Sequence, residues 1–245
     1  MDERFHPFEK EVEEWHWWYQ VRRDILDQKL ASLGLDPARA RLLDVGCGTG
    51  GASLVLSKYG RVVGLDRAPA SFRISMDRPY AHRVVARFGE PLPLADGSFD
   101  VVCALDIIEH LDDDRSGARE LYRVCKPGGT AIVFAPAFQI LWGYNDVFSH
   151  HKRRYDERQL AAVMREAGFT VVESGYFNMV LFLPTLGARL LQRLFPKMTD
   201  GMEHSTKPSP FNGVLAGIFR LELPILKRMH LPVGTSAFCI ARRES

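Results

Sequence analysis

Residues 42–50 read Leu42-Leu43-Asp44-Val45-Gly46-Cys47-Gly48-Thr49-Gly50, and this order of residue types decides the fold. An apolar run long enough for a strand ends at an acid. Glycines then occupy positions 46, 48, 50 and 51, and a helical pattern begins at Ala52, Leu54, Val55 and Leu56. Strand, glycine turn and helix start in that order build a cradle. Glycine lets the backbone turn sharply and approach a ligand closely, and the first turn of a helix presents unpaired N–H groups. Four glycines within six residues lose much chain freedom on folding, a cost out of proportion to a plain link. Asp44, Gly46, Cys47, Gly48 and Gly50 are therefore the first candidate binding residues.

Working outward, residues 61–66 (Arg-Val-Val-Gly-Leu-Asp) give a second buried strand that also ends in an acid. Asp66, with Arg67 beside it, follows Gly46 by 20 residues, where a doubly wound fold places a carboxylate that accepts hydrogen bonds from ribose hydroxyls. Asp66 could also cap a helix ahead of Pro69. Gly46, Gly48 and Gly51 satisfy the G-x-G-x-x-G dinucleotide spacing, so on spacing alone a nicotinamide cofactor stays open. Further strands are expected at 83–86, 99–104, 130–135, 169–176 and 236–241, with helices at 8–33, 112–125 and 156–167. Residues 136–155 belong to no regular element and are rich in aromatic and ionisable groups, as functional loops at strand ends are. About sixty residues separate the last two strands, more than a plain loop holds; 179–195 and 211–229 read as apolar helices joined by a polar link at 196–210. They are expected to form a helical hairpin.

The chain has 245 residues, 46% apolar and 25% charged, with a net charge of +2, so no global electrostatic partner such as nucleic acid is implied. From His150 onward there are 14 Lys/Arg against 8 Asp/Glu, leaving 18 against 22 before it; the basic residues are spread, not blocked. The four cysteines, at 47, 103, 125 and 239, show no metal spacing and read as reduced thiols of a cytoplasmic protein. The first residues lack a signal layout, and no apolar run approaches the ~20 residues of a membrane span, so a soluble protein is expected.

Asp-Val-Gly-Cys-Gly-Thr-Gly at 44–50 resembles motif I of class I S-adenosylmethionine (SAM)-dependent methyltransferases, in which the acid and loop hold the methionine end of SAM. Leu92-Pro93 and Asp96-Gly97-Ser98-Phe99-Asp100 are similar to a second stretch of that family. Phe88 departs from it, standing where an Asp often contacts adenine; the resemblance then leaves adenine to the Phe88 ring and to backbone groups, Gly89 included. Leu105-Asp106-Ile107-Ile108-Glu109-His110-Leu111 resembles the family's post-strand motif, which implies that Leu105 and Asp106 lie near the sulfonium. Glu109-His110 is expected to buttress the loop; it could also offer a base or a weak metal ligand, but with no third ligand apparent no metal site is expected. His16-Trp17-Trp18-Tyr19 resembles helices that precede motif I in bacterial members, and implies a lid in which Trp18 covers SAM and Arg22 or Arg23 pairs with its carboxylate. A helix stapled to the core by its Trp residues is the alternative. The His-x-Arg-Arg-Tyr run at 151–155 is similar to a substrate-facing loop.

The expected fold is α/β, a Rossmann-like doubly wound sheet of seven strands with the last antiparallel and a helical insertion between strands six and seven. The divisions are 1–35 (lid), 36–178 with 233–245 (SAM-binding domain) and 179–232 (substrate cap or dimer interface). The expected function is methyl transfer from SAM to an oxygen or nitrogen of a small-molecule or lipid-linked acceptor, giving S-adenosyl-L-homocysteine. His151, His150, Tyr155 and Asp106 are the candidates for base or orienting group. Rival readings are a nicotinamide-dependent oxidoreductase, which needs a hydride-transfer pair such as Tyr-x-x-x-Lys that is not expected here, and a non-catalytic SAM-fold interaction protein. The insertion's apolar helices with scattered Lys and Arg suit an amphiphilic acceptor, peripheral contact with an anionic membrane, or a homodimer.

Overall fold

The computed structural model describes residues 6–194 and 211–245; the expected link at 196–210 lies outside them. Seven strands, β1 Arg41–Val45, β2 Arg61–Asp66, β3 His82–Val85, β4 Phe99–Leu105, β5 Cys125–Pro136, β6 Thr170–Phe177 and β7 Ser236–Arg242, form one sheet in the order β3-β2-β1-β4-β5-β7-β6. The first five pair in parallel, while β7 runs antiparallel to both β5 and β6. Central strands covered on both faces are apolar at nearly every position, as β1 and β4 are. In β5, Ala131, Val133 and Ala135 face α5 (Asp114–Val124) and α7 (Glu157–Glu166). Ile132 and Phe134 face the opposite layer, which holds α2 (Trp17–Ala31), α3 (Ser53–Leu56) and α4 (Pro69–Ile74).

Local chemistry sets the element ends. Asp156 caps α7 reciprocally: its carboxylate accepts from Gln159 N at 2.8 Å, and the Gln159 side chain accepts from Asp156 N at 2.9 Å. The helix expected over 8–33 is two, α1 His6–Trp15 and α2, because His16 is extended and its Nδ1 accepts from Trp18 N at 3.2 Å, starting a new helix there. Residues 127–129, expected to separate helix from strand, belong to β5, since Gly128 N donates to Arg243 O and Arg243 N donates to Gly129 O.

The stretch 136–155 is not irregular. It holds a 3-10 turn at Gln139–Leu141 and the short α6 Tyr144–Phe148, whose start is closed by Gly143 N donating to the buried Asp146. Tyr155 bridges back to Ala137 and is only 2% exposed. Its hydroxyl donates to Asp114 Oδ2 at 2.8 Å, and burial pushes that hydroxyl's pKa up. The expectation of Tyr155 as a base or orienting group is therefore corrected: it is a core residue tied to α5.

The insertion contains α8 Phe182–Leu194, α9 Asn212–Arg220 and α10 Glu222–Leu226. The expected hairpin is not the principal packing. Arg189 and Arg193 bind α8 to the carbonyls of Leu141 and Ile140. Phe219 of α9 stacks on Trp17 at 4.6 Å between centroids, and Asn212 accepts from Trp17 N and donates to Trp15 O. The inner faces differ in partner because Phe219 and Leu226 join the cluster built on the apolar face of α2.

Tyr155→Phe is expected to lower unfolding free energy by about 1–2 kcal/mol, since Asp114 loses a buried donor but keeps Arg153. Urea unfolding monitored by tryptophan fluorescence should show a lower midpoint with an unchanged slope.

Candidate active site

The strand order reverses between β1 and β4, and a crevice opens at the C-terminal ends of the parallel strands, the usual ligand position in such sheets. Gly46, Asp66, Gly89, Leu105 and Asp106 all lie along it, at the ends of successive strands or just beyond. Gly46 N and Cys47 N both donate to Leu65 O, at 2.8 and 3.0 Å, and Gly48 N donates to Asp66 Oδ2 at 2.9 Å. The acid of β2 thus holds the turn that follows β1. Asp66 Oδ1 accepts from Ala68 N at 2.8 Å, so it closes the turn into α4 while Ala68 occupies the cap position. Gly46 has φ +69°, and a Cβ there would stand 2.5 Å from Ile107 Cγ1, so no side chain fits.

Asp44 sits beneath the turn, 2% exposed, and accepts from Tyr80 Oη at 2.7 Å. Burial pushes its carboxyl up to about 7, with Tyr80 opposing and Asp66 adding to the rise. The Cys47 thiol is pushed up by burial and by the nearby Asp44 and Asp66 carboxylates. Phe88 reaches the crevice but packs tightly on Gly117 and belongs to the core, so little of its ring is left as a platform. The Gly89 carbonyl already accepts from Ser116 Oγ. Arg67 is exposed on the rim.

The N-terminal helices both pack on the core and line the crevice. Val21, Ile25, Leu26 and Leu30 are core, while Trp18 and Arg22 face the site. Arg22 differs from expectation. Its guanidinium lies 4.3 Å from the Trp18 ring centroid, donates to Ser236 Oγ at 3.1 Å and pairs with Asp106. A buried guanidinium requires a counter-charge, and Asp106 supplies it. Arg22 is therefore not held in reserve for a ligand carboxylate, nor is Asp106 an unengaged base.

Beyond β4, Glu109 is fully buried, and neither carboxyl oxygen has a hydrogen-bond partner among the described residues. His151 Nδ1 lies 2.8 Å from Asp146 Oδ1, and its Nε2 lies 3.9 Å from Glu109 Oε1. The His110 ring meets the His151 ring edge to face at 4.8 Å. Burial and the neighbouring His151 bring His110 down to about 4, so it is neutral at physiological pH. Burial would raise Asp146, but hydrogen bonds from His151 and Arg154 outweigh it and hold the carboxyl at about 2. One ligand atom each from Glu109, His110 and His151 lie within 4.8 Å of one another, so the third group that seemed absent from the sequence is His151. His150 is exposed on the rim in a left-handed conformation, φ +57°. Sequence reasoning missed Tyr80 and Asp146, which act through folding proximity and carry no local motif.

Tyr122 and Lys126 do have the Tyr-x-x-x-Lys spacing, contrary to expectation. They do not line the crevice: Lys126 pairs with Asp100 at 2.8 Å beside the start of β4, and Tyr122 packs on Phe169.

Residues 43–133 match the methyltransferase-domain family. A probable SAM-dependent methyltransferase of Mycolicibacterium smegmatis is 33% identical over 171 residues, 66% of this chain and 63% of that protein. The 2-methyl-6-phytyl-1,4-hydroquinone methyltransferase of Synechocystis is 40% identical over 108 residues, 41% of this chain and 34% of that protein. The chain thus spans less than two thirds of these relatives. Among solved structures, a chain of the complex between the Haloferax volcanii Trm112 methyltransferase activator and its methyltransferase is similar in fold, with a TM-score of 0.64 at 16% identity, covering 99% of this chain and 95% of that one. The matching sequence runs over the glycine turn and β4, so this part of the chain is similar to the methyltransferase domain of SAM-dependent enzymes, and the sheet order is that of its structural neighbours.

Proposed function

We propose that this protein transfers the methyl group of SAM to an oxygen or nitrogen of a small-molecule or lipid-linked acceptor by in-line displacement, releasing S-adenosyl-L-homocysteine. One observation carries the proposal: the glycine cradle and the Glu109–His110–His151 wall line the same crevice. In this reading Asp66 receives the ribose hydroxyls, residues 46–50 receive the methionine end, and Trp18 covers the bound cofactor. A sulfonium is already electrophilic, so catalysis rests on alignment, which can lower a barrier by roughly 7–11 kcal/mol. A hydroxyl acceptor must also lose its proton, and the ionisable wall is where that is handled.

The acceptor proposed is amphiphilic. Leu181, Pro184 and Ala188, from α8 and the turn before it, line the crevice and would meet an apolar body, while Arg189 offers a cation. The Synechocystis relative is named for a hydroquinone bearing a phytyl chain, which supports this acceptor class. Leu183, Leu190 and Leu191 on α8, Val214 on α9, and Leu221 and Met229 near α10 are exposed. Such exposed apolar side chains suit peripheral contact with an anionic membrane; a homodimer would cover the same residues. No helix among the described residues is long and apolar enough to cross a membrane.

Incubation with methyl-labelled SAM and fractionated polar and lipid extracts should label one acceptor fraction; NADH binding tighter than SAM would overturn the reading. Asp66→Ala should weaken SAM binding by about 1–3 kcal/mol in calorimetry, the scale of charge-assisted hydrogen bonds. His151→Ala should lower kcat about 10²–10⁴-fold while SAM affinity stays near wild type. Co-sedimentation with anionic vesicles should be strong at low salt and weaken at high salt; gel filtration showing a dimer that no longer sediments would assign the apolar surface to self-association.

A further inference from the structure

Glu109 presents a problem that the transferase reading does not solve. A carboxyl with no exposure and no hydrogen-bond partner among the described residues is costly unless something else satisfies it. Its neighbours are two imidazoles on different elements: His110 in the 3-10 turn after β4, and His151 just after α6. Their ligand-capable atoms and the Glu109 oxygen all lie within 4.8 Å of one another.

The second observation concerns His151. Its Nδ1 is engaged by Asp146 at 2.8 Å, which leaves Nε2 directed towards Glu109 at 3.9 Å. A carboxylate on the far nitrogen fixes the tautomer and the ring plane, the arrangement typical of metal-bound histidine. Asp146 is itself immobilised by Arg154 Nε at 2.8 Å and Gly143 N at 2.8 Å.

We propose that Glu109, His110 and His151 bind a divalent cation on the acceptor side of the crevice, with Asp146 as a positioning residue. Two imidazoles and one carboxylate select a borderline ion such as zinc, manganese, iron(II) or cobalt over magnesium or calcium. Three protein ligands leave a position open to the crevice. This inference rests on the transferase reading for its role: the open position takes an acceptor hydroxyl and lowers its pKa. The hydroxyl proton passes to water, the oxygen bonds to the methyl carbon, and the carbon–sulfur bonding pair returns to sulfur, so charge and atoms balance. The acceptor atom is then oxygen.

The test uses the intact, chelator-treated protein titrated with Co²⁺ alone, read by visible absorption and by calorimetry. One ion per chain with a ligand-field spectrum is expected, with Glu109→Gln and His110→Asn each weakening it at least about tenfold, and Asp146→Asn by about 10–100-fold. SAM affinity, measured separately, should stay within about threefold of wild type in Glu109→Gln and His110→Asn. Absence of Co²⁺ binding to wild-type protein, or binding that Glu109→Gln leaves intact, overturns the cation site. Because the titration contains no SAM, failure of the transferase reading would appear as lost SAM binding or transfer with the Co²⁺ signal retained.

Discussion

Everything chemical in this protein depends on the reversal of strand order between β1 and β4. The chain leaves β1 towards β2 and leaves β4 towards β5, so the connections depart in opposite directions and neither can cover the gap between them. The turns that follow the two strands meet across that gap, Gly46 against Ile107, so closely that a methyl group would not fit. Side chains carried past strand ends converge there from remote parts of the sequence. Asp106 and His150 adopt left-handed backbone conformations at this place, a local strain of the sort concentrated around functional crevices.

A second constraint is the burial of Arg22. Its guanidinium lies against Trp18, Phe134 and Phe177, and such a group inside a protein must be paired. Asp106 at the end of β4 and Ser236 at the start of β7 satisfy it, so one side chain of α2 ties the N-terminal segment to the middle and the far part of the sheet. The stack of Trp17 on Phe219 then couples α2 to the insertion. Motion of the N-terminal helices over the crevice would carry α9 with it.

The sheet was legible because its strands are short apolar runs bounded by glycine, proline or acids, and β2 was read to the residue. The glycine turn was legible for the same reason: its backbone demands specific residue types. The break at His16 was not, since the apolar spacing of 8–33 continues through it and only a side-chain cap interrupts the backbone. Tyr155 was misassigned because proximity in sequence to His151 says nothing about direction; the chain turns it inward onto Asp114. Arg22 was read from charge complementarity with an absent partner, whereas a partner 84 residues away in the chain already claims it. Asp146 behind His151 was invisible for a similar reason, being an acid among many until α6 buries it.

Cys47 stands in the glycine turn itself, close enough to Asp44 and Asp66 for both acids to act on its thiol. Thiolates are among the best nucleophiles towards alkylating agents, whereas the protonated thiol is a poor one. Burial together with two flanking carboxylates keeps this sulfur in its protonated form. The same two acids that shape the electrostatics of the turn thereby also keep its sulfur unreactive towards alkylating agents.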